Sequence, residues 1–95
     1  MAYKTKLNYS PSFDPKKRNF KQIKFIIFHY TGMKSERVAF KRLTNYKSQV
    51  SSHYFINKNG EITKLVPDLY IAWHAGKSKW KRYESLNKNS IGIEI

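Results

Sequence analysis

Cysteine is absent from the 95 residues, which excludes disulfides and thiolate metal sites and leaves His, Asp and Glu to hold any metal. Imidazoles are scarce too, since His29, His53 and His74 are the full set. Acidic residues number six against nineteen Lys and Arg, giving a formal charge of +13. Such an excess points to an anionic partner such as nucleic acid, a membrane surface or a wall polymer. Fifteen of these cations are Lys and four are Arg, scattered along the chain, which suits diffuse attraction better than bidentate reading of base edges and does not favour nucleic acid. No apolar run reaches the ~18 residues of a membrane helix, and the Lys-rich start lacks a signal-peptide core. A soluble chain kept in the cytoplasm is expected, with action in the periplasm or at the wall left open.

What is present suffices for a fold. The apolar fraction of 40% and the aromatic fraction of 16% support a packed core in one small domain, residues 1–95. Pro11, Pro15 and the polar stretch Lys16 to Asn19 predict an irregular lead-in over 1–22. Lys24 to Tyr30 is a continuous apolar run of strand length, predicting a central strand buried on both faces with His29 at its C-terminal end. Ser35 is a candidate N-cap for a helix from Glu36 to near Lys47 that buries Ala39, Leu43 and Tyr46. Residues 52–57 and 61–66 predict a hairpin closed by a two-residue type I′ turn at Asn59-Gly60. Ala72 to Gly76 reads as a short strand or loop, and 77–89 as polar loop. Ser90 to Ile95 reads as a strand burying Ile91, Ile93 and Ile95, with Gly92 and Glu94 on the other face. The order predicts an α/β fold, a mixed central sheet flanked by helices, with one covering helix unaccounted for.

Four side chains stand out. His29 lies where a buried strand emerges, which suits a metal ligand at a cleft edge and equally a half-buried imidazole bonded to a carbonyl. His53 and His74 match no local zinc spacing; a structural hydrogen bond is the commoner role for a histidine such as His53, which begins a strand. Glu94, between isoleucines and beside Gly92, is either an exposed edge carboxylate or a base with a pKa raised by burial.

Several blocks in fixed order then carry a resemblance: Ser10 to Asp14, Ile27 to Met33, Val50 to Ile56, Asn59-Gly60, Leu65 to Pro67, Ala72 to Gly76 and Asn89 to Ile95. Together they resemble the type 2 N-acetylmuramoyl-L-alanine amidases, whose fold is shared with peptidoglycan recognition proteins and phage amidase lysozymes. The resemblance implies zinc-dependent cleavage of the bond between N-acetylmuramic acid and L-alanine in peptidoglycan or muropeptides. It implies that His29 is a Zn2+ ligand, that Glu94 acts on the water, and that Trp73 and His74 line the substrate groove. A tyrosine that assists in the phage and animal branches is replaced here by Ser52. The family's second His and its acidic ligand have no counterpart before Ile95, so the resemblance implies an N-terminal, incomplete domain. Two rivals stand beside it. One is a zinc site made of His29, His53 and His74 with Glu94 as base. The other is a non-catalytic module that binds peptidoglycan or, through lysines and stacking aromatics, nucleic acid.

Overall fold

β-branched and aromatic residues favour the half-covered surface of a pleated strand, and the run at Phe25–His29 forms strand β3. The alternating isoleucines form β9, Ser90–Glu94, parallel to β3 with Phe25 opposite Ser90 and His29 opposite Glu94. The computed structural model describes residues 5–31, 35–76 and 78–95; Gly32 and Met33 of the motif after His29, and Lys77, lie outside the described residues. Strands β1 (Thr5–Leu7), β4 (Tyr54–Ile56) and β5 (Ile62–Lys64) complete a mixed sheet of order β1-β5-β4-β9-β3. β4 and β5 are antiparallel, and the other neighbours are parallel.

β3 is therefore an edge strand and not the central one expected; β9 takes the centre. The apolar run fills an alternating edge, with Ile26 and Phe28 each 62% exposed. Residues paired across strands share a face, so Phe25, Ile27, His29, Gly92, Glu94 and Phe55 point one way. Helix α1 (Glu36–Thr44) lies on that side, and its buried Ala39 and Leu43 meet Phe55 and Leu65. Each large apolar group buried there contributes about 1.5–3 kcal/mol. Among the described residues α1 is the one α-helix, so the expected flanking helices reduce to cover on a single face. The expectation for β9 is reversed: Ser90 and Gly92 are buried, while Ile91 and Ile93 on the open face are half-buried.

Local departures have local causes. Ser35 caps α1 by accepting from the Val38 N–H, but the helix stops at Thr44 because the Asn45 side chain caps a following 3-10 turn, Tyr46–Ser48. Tyr46 is left 68% exposed instead of buried. The β4–β5 turn is a three-residue loop, not type I′: Asn57 and Glu61 still pair, and Gly60 alone has positive φ, +81°. The Asn57 carboxamide oxygen favours this by accepting from Asn59 and Glu61. The lead-in is not irregular throughout, since β1 pairs with β5, and β2 (Phe13–Asp14) pairs with β6 (Ile71–Ala72). The 77–89 loop contains a small hairpin, β7 (Lys79–Trp80) and β8 (Tyr83–Glu84), then a 3-10 turn at Leu86–Asn89. No helix is long and apolar enough to cross a membrane among the described residues.

Candidate functional site

Strand pairing places the two residues singled out at the strand ends side by side. His29 and Glu94 are register partners at the C-terminal ends of β3 and β9, tied by the Ile95 N–H donating to the His29 carbonyl at 2.9 Å. Both side chains line a cleft of about 210 Å³ walled by α1 and the loop after β6, together with Arg42 and His74. Burial raises the Glu94 pKa, an effect opposed by the Arg42 charge. Burial lowers the pKa of His29. A carboxyl held toward the basic side of its range beside a neutral imidazole suits proton transfer.

His74 is locked into this cleft from two sides. Its Nδ1 lies 2.8 Å from His29 Nε2, and its Nε2 lies 3.0 Å from Ser90 Oγ. The Ser90 hydroxyl donates to the Leu86 carbonyl at 2.6 Å, so its oxygen accepts from His74 Nε2–H. Neutral His74 then presents an unprotonated Nδ1 to His29 Nε2–H. Burial first, then the neighbouring His29, His53 and Arg18, lowers the His74 pKa to about 3. The ring rests on Gly92, where a β-carbon would lie 2.5–2.7 Å from its atoms. Glycine at 92 therefore makes room for a side chain of the site, and not only for a ligand.

Trp73 does not line this cleft. Its indole N–H donates to Asp14 at 2.7 Å, and its backbone N–H donates to Ser51 Oγ at 2.9 Å, so it pins the lead-in to the loop after β6. His53 is fully buried and structural: Nδ1 accepts from the Gly92 N–H at 3.0 Å and Nε2–H donates to the Tyr70 carbonyl at 2.8 Å. With both nitrogens engaged and its pKa lowered to about 4, chiefly by burial, His53 has no lone pair to offer a metal. The three-histidine site is not formed.

Sequence reading missed Arg18. It is 6% exposed, and its guanidinium donates to the carbonyls of Asp68 at 2.9 Å, Asn87 at 3.0 Å and Lys88 at 3.2 Å. Desolvation lowers its pKa, opposed by Asp68. It ties the lead-in to the turn before β6 and to the turn that feeds β9. The scarcity of Arg among the cations was the available signal, because a planar fork suits several carbonyls at once.

A zinc centre with an open position needs three protein ligands. No three His, Cys, Asp or Glu side chains cluster so as to hold a metal among the described residues, and residues 1–4, 32–34 and 77 contain none of these types. The described residues alone therefore do not make a complete zinc centre.

Comparison with known proteins gives this geometry a context. The family model described as N-acetylmuramoyl-L-alanine amidase matches residues 19–95. The chain is 39% identical over 83 residues to N-acetylmuramoyl-L-alanine amidase AmiD of Escherichia coli (strain K12), covering 80% of this chain and 29% of AmiD. It is 31% identical over 103 residues to 1,6-anhydro-N-acetylmuramyl-L-alanine amidase AmpD of Haemophilus influenzae, covering 90% of this chain and 55% of that protein. Among solved structures, a selenomethionine derivative of AmpD superposes with a TM-score of 0.77 at 28% identity, over 99% of this chain and 65% of that one. AmiD from E. coli in complex with anhydro-N-acetylmuramic acid-L-Ala-D-γ-Glu-L-Lys superposes with a TM-score of 0.68 at 38% identity, over 85% and 33%. The chain spans about half or less of the length of these curated relatives.

Proposed function

Because the chain belongs to the N-acetylmuramoyl-L-alanine amidase family, we infer that its cleft receives a muropeptide and serves hydrolysis of the amide between the muramoyl lactyl group and L-alanine. The observation that supports this most is the side-by-side placement of His29 and Glu94 at the ends of β3 and β9, facing one cleft. Zinc, when bound with His29 as one of its ligands, would polarise the carbonyl and lower the pKa of water.

The chain's own residues account for the proton movements. Glu94, with its pKa raised by burial, takes a proton from the attacking water. As the C–N bond breaks, it passes that proton to the departing alanine amine, leaving a lactyl carboxylate and a free peptide amine. His74 holds the His29 ring in one orientation through the 2.8 Å contact and forms part of the cleft wall. Trp73 acts on the groove indirectly, by fixing the loop that carries His74. Arg42 offers the cleft a positive charge for a substrate carboxylate.

The test is Glu94→Gln in the enzyme with its metal site complete, assayed for release of L-alanyl peptide from anhydro-N-acetylmuramyl tripeptide. Turnover is expected to fall by at least about a hundredfold, with muropeptide binding retained. A rate within a few-fold of the parent removes Glu94 from the chemistry.

A further inference from the structure

Away from the cleft, the β7–β8 hairpin carries a second cluster that the amide chemistry does not use. Trp80 pairs with Tyr83 across the hairpin, so the connecting turn is the two residues Lys81 and Arg82. Lys81 sits at φ +53°, in the left-handed region. The first position of such a turn favours Gly or Asn, because a β-carbon there is strained. Gln49 and Ser85 share this conformation, but at the hairpin tip it puts a positive charge where a neutral glycine would fold more easily, which makes the turn a place to look for a role.

The surroundings agree. Trp80 is 56% exposed, while Tyr83 is held edge-on against Phe25 with ring centroids 5.1 Å apart. Together with Lys24 and Arg82 they border an open cleft of about 290 Å³. An indole more than half exposed beside three cations suits a ring-shaped anionic ligand, with the ring on the indole and the negative groups on Lys24, Lys81 and Arg82. A nucleic-acid strand would use a row of stacking aromatics, and Tyr83 is already committed to Phe25. Phe25 and His29 share a face of β3 and lie four residues apart, roughly 13 Å at ~3.3 Å per residue. A polymer with one unit in the His29 cleft would therefore reach the hairpin.

We propose that Trp80, Lys81, Arg82 and Lys24 form an exosite for an extended anionic glycan, holding the strand beyond the unit that occupies the cleft. The choice of glycan rests on the amidase reading. A strand bearing peptides such as L-Ala-D-γ-Glu-L-Lys has the required charge, since γ-linkage leaves the α-carboxylate of each glutamate free.

The experiment compares the affinity of the 95-residue chain for soluble peptide-bearing glycan strands, for a single anhydromuramyl tripeptide and for a single-stranded DNA oligomer. Trp80→Ala and Lys81→Gly are each expected to weaken strand binding about five- to tenfold and to leave tripeptide binding unchanged. Lys81→Gly should also raise Tm, so its lost affinity cannot be ascribed to unfolding. Unchanged strand affinity in both folded variants overturns the exosite, as does equal weakening for strand and tripeptide or stronger binding of DNA than of strands by the parent. Strand binding that stays sensitive to both variants while the tripeptide fails to bind the parent supports the exosite, and the amidase reading is then decided separately by the Glu94→Gln assay.

Discussion

Gly92→Ala puts the geometry of the site to its most direct test. An alanine β-carbon there would fall 2.5 Å from Cγ and 2.6 Å from Cδ2 of His74, about an ångström inside ordinary contact. Neither side yields easily: Gly92 is held in central β9 by its N–H to His53 Nδ1 and its carbonyl to the His53 N–H. The His74 ring must therefore tilt away, breaking its contacts with His29 and with Ser90. Two partly buried hydrogen bonds at about 1 kcal/mol each, with overpacking of about 1–3 kcal/mol, give a loss of roughly 3–5 kcal/mol. Urea unfolding measures this. The same substitution in a His74→Ala background meets no ring, so it should cost less than about 1 kcal/mol, and the difference is the coupling between the two positions. Equal costs in the two backgrounds would refute the claim that residue 92 is glycine on account of His74.

Three more outcomes follow from groups described above. Arg18→Gln should cost about 3 kcal/mol in urea unfolding, since it strands the carbonyls of Asp68, Asn87 and Lys88; a loss under about 0.5 kcal/mol would show that water replaces the guanidinium freely. His53 has a folded pKa of about 4 against ~6.5 unfolded. The unfolded chain therefore binds more protons in that window, and the stability this group gives is complete above pH 6.5 and lost as the pH falls toward 4. About 3 kcal/mol is at stake, and a His53→Gln chain should show a visibly flatter dependence in the same range. In equilibrium dialysis the 95-residue chain should take up zinc no better than an isolated histidine, and His29→Ala should change little; tight stoichiometric uptake would mean that the ligand assignment is wrong.

Strand identities were legible because β-branched runs and alternation are local signals, and so was the N-cap at Ser35. Sheet position was not. Phe25 to Phe28 read as central because a continuous apolar run cannot say which neighbour arrives, and β9, some sixty residues later, takes the middle place. The turn at Gly60 was misjudged because Asn57, outside the Asn-Gly pair, directs the loop with its side chain. The His29 and Glu94 positions were visible as residue types at strand ends, but their adjacency depends on pairing register. The place of His74 depends on space above Gly92, a three-dimensional fact with no local trace. Arg18 looked like one more solvated cation in a polar stretch, since its partners are carbonyls fifty or more positions away.

β9 lies between β3 and β4 yet follows both in the chain. During synthesis the β4–β5 hairpin and α1 can form from nearby sequence, whereas β3 and β4 each keep an unpaired edge until residues 90–94 leave the ribosome. Non-local parallel pairing of this kind is slow, and the waiting edges are open to wrong partners. His29 and Glu94 meet only when that pairing closes, so an intermediate that has collapsed around Phe55 would still have no cleft, and the cleft between them would appear in one step with completion of the sheet.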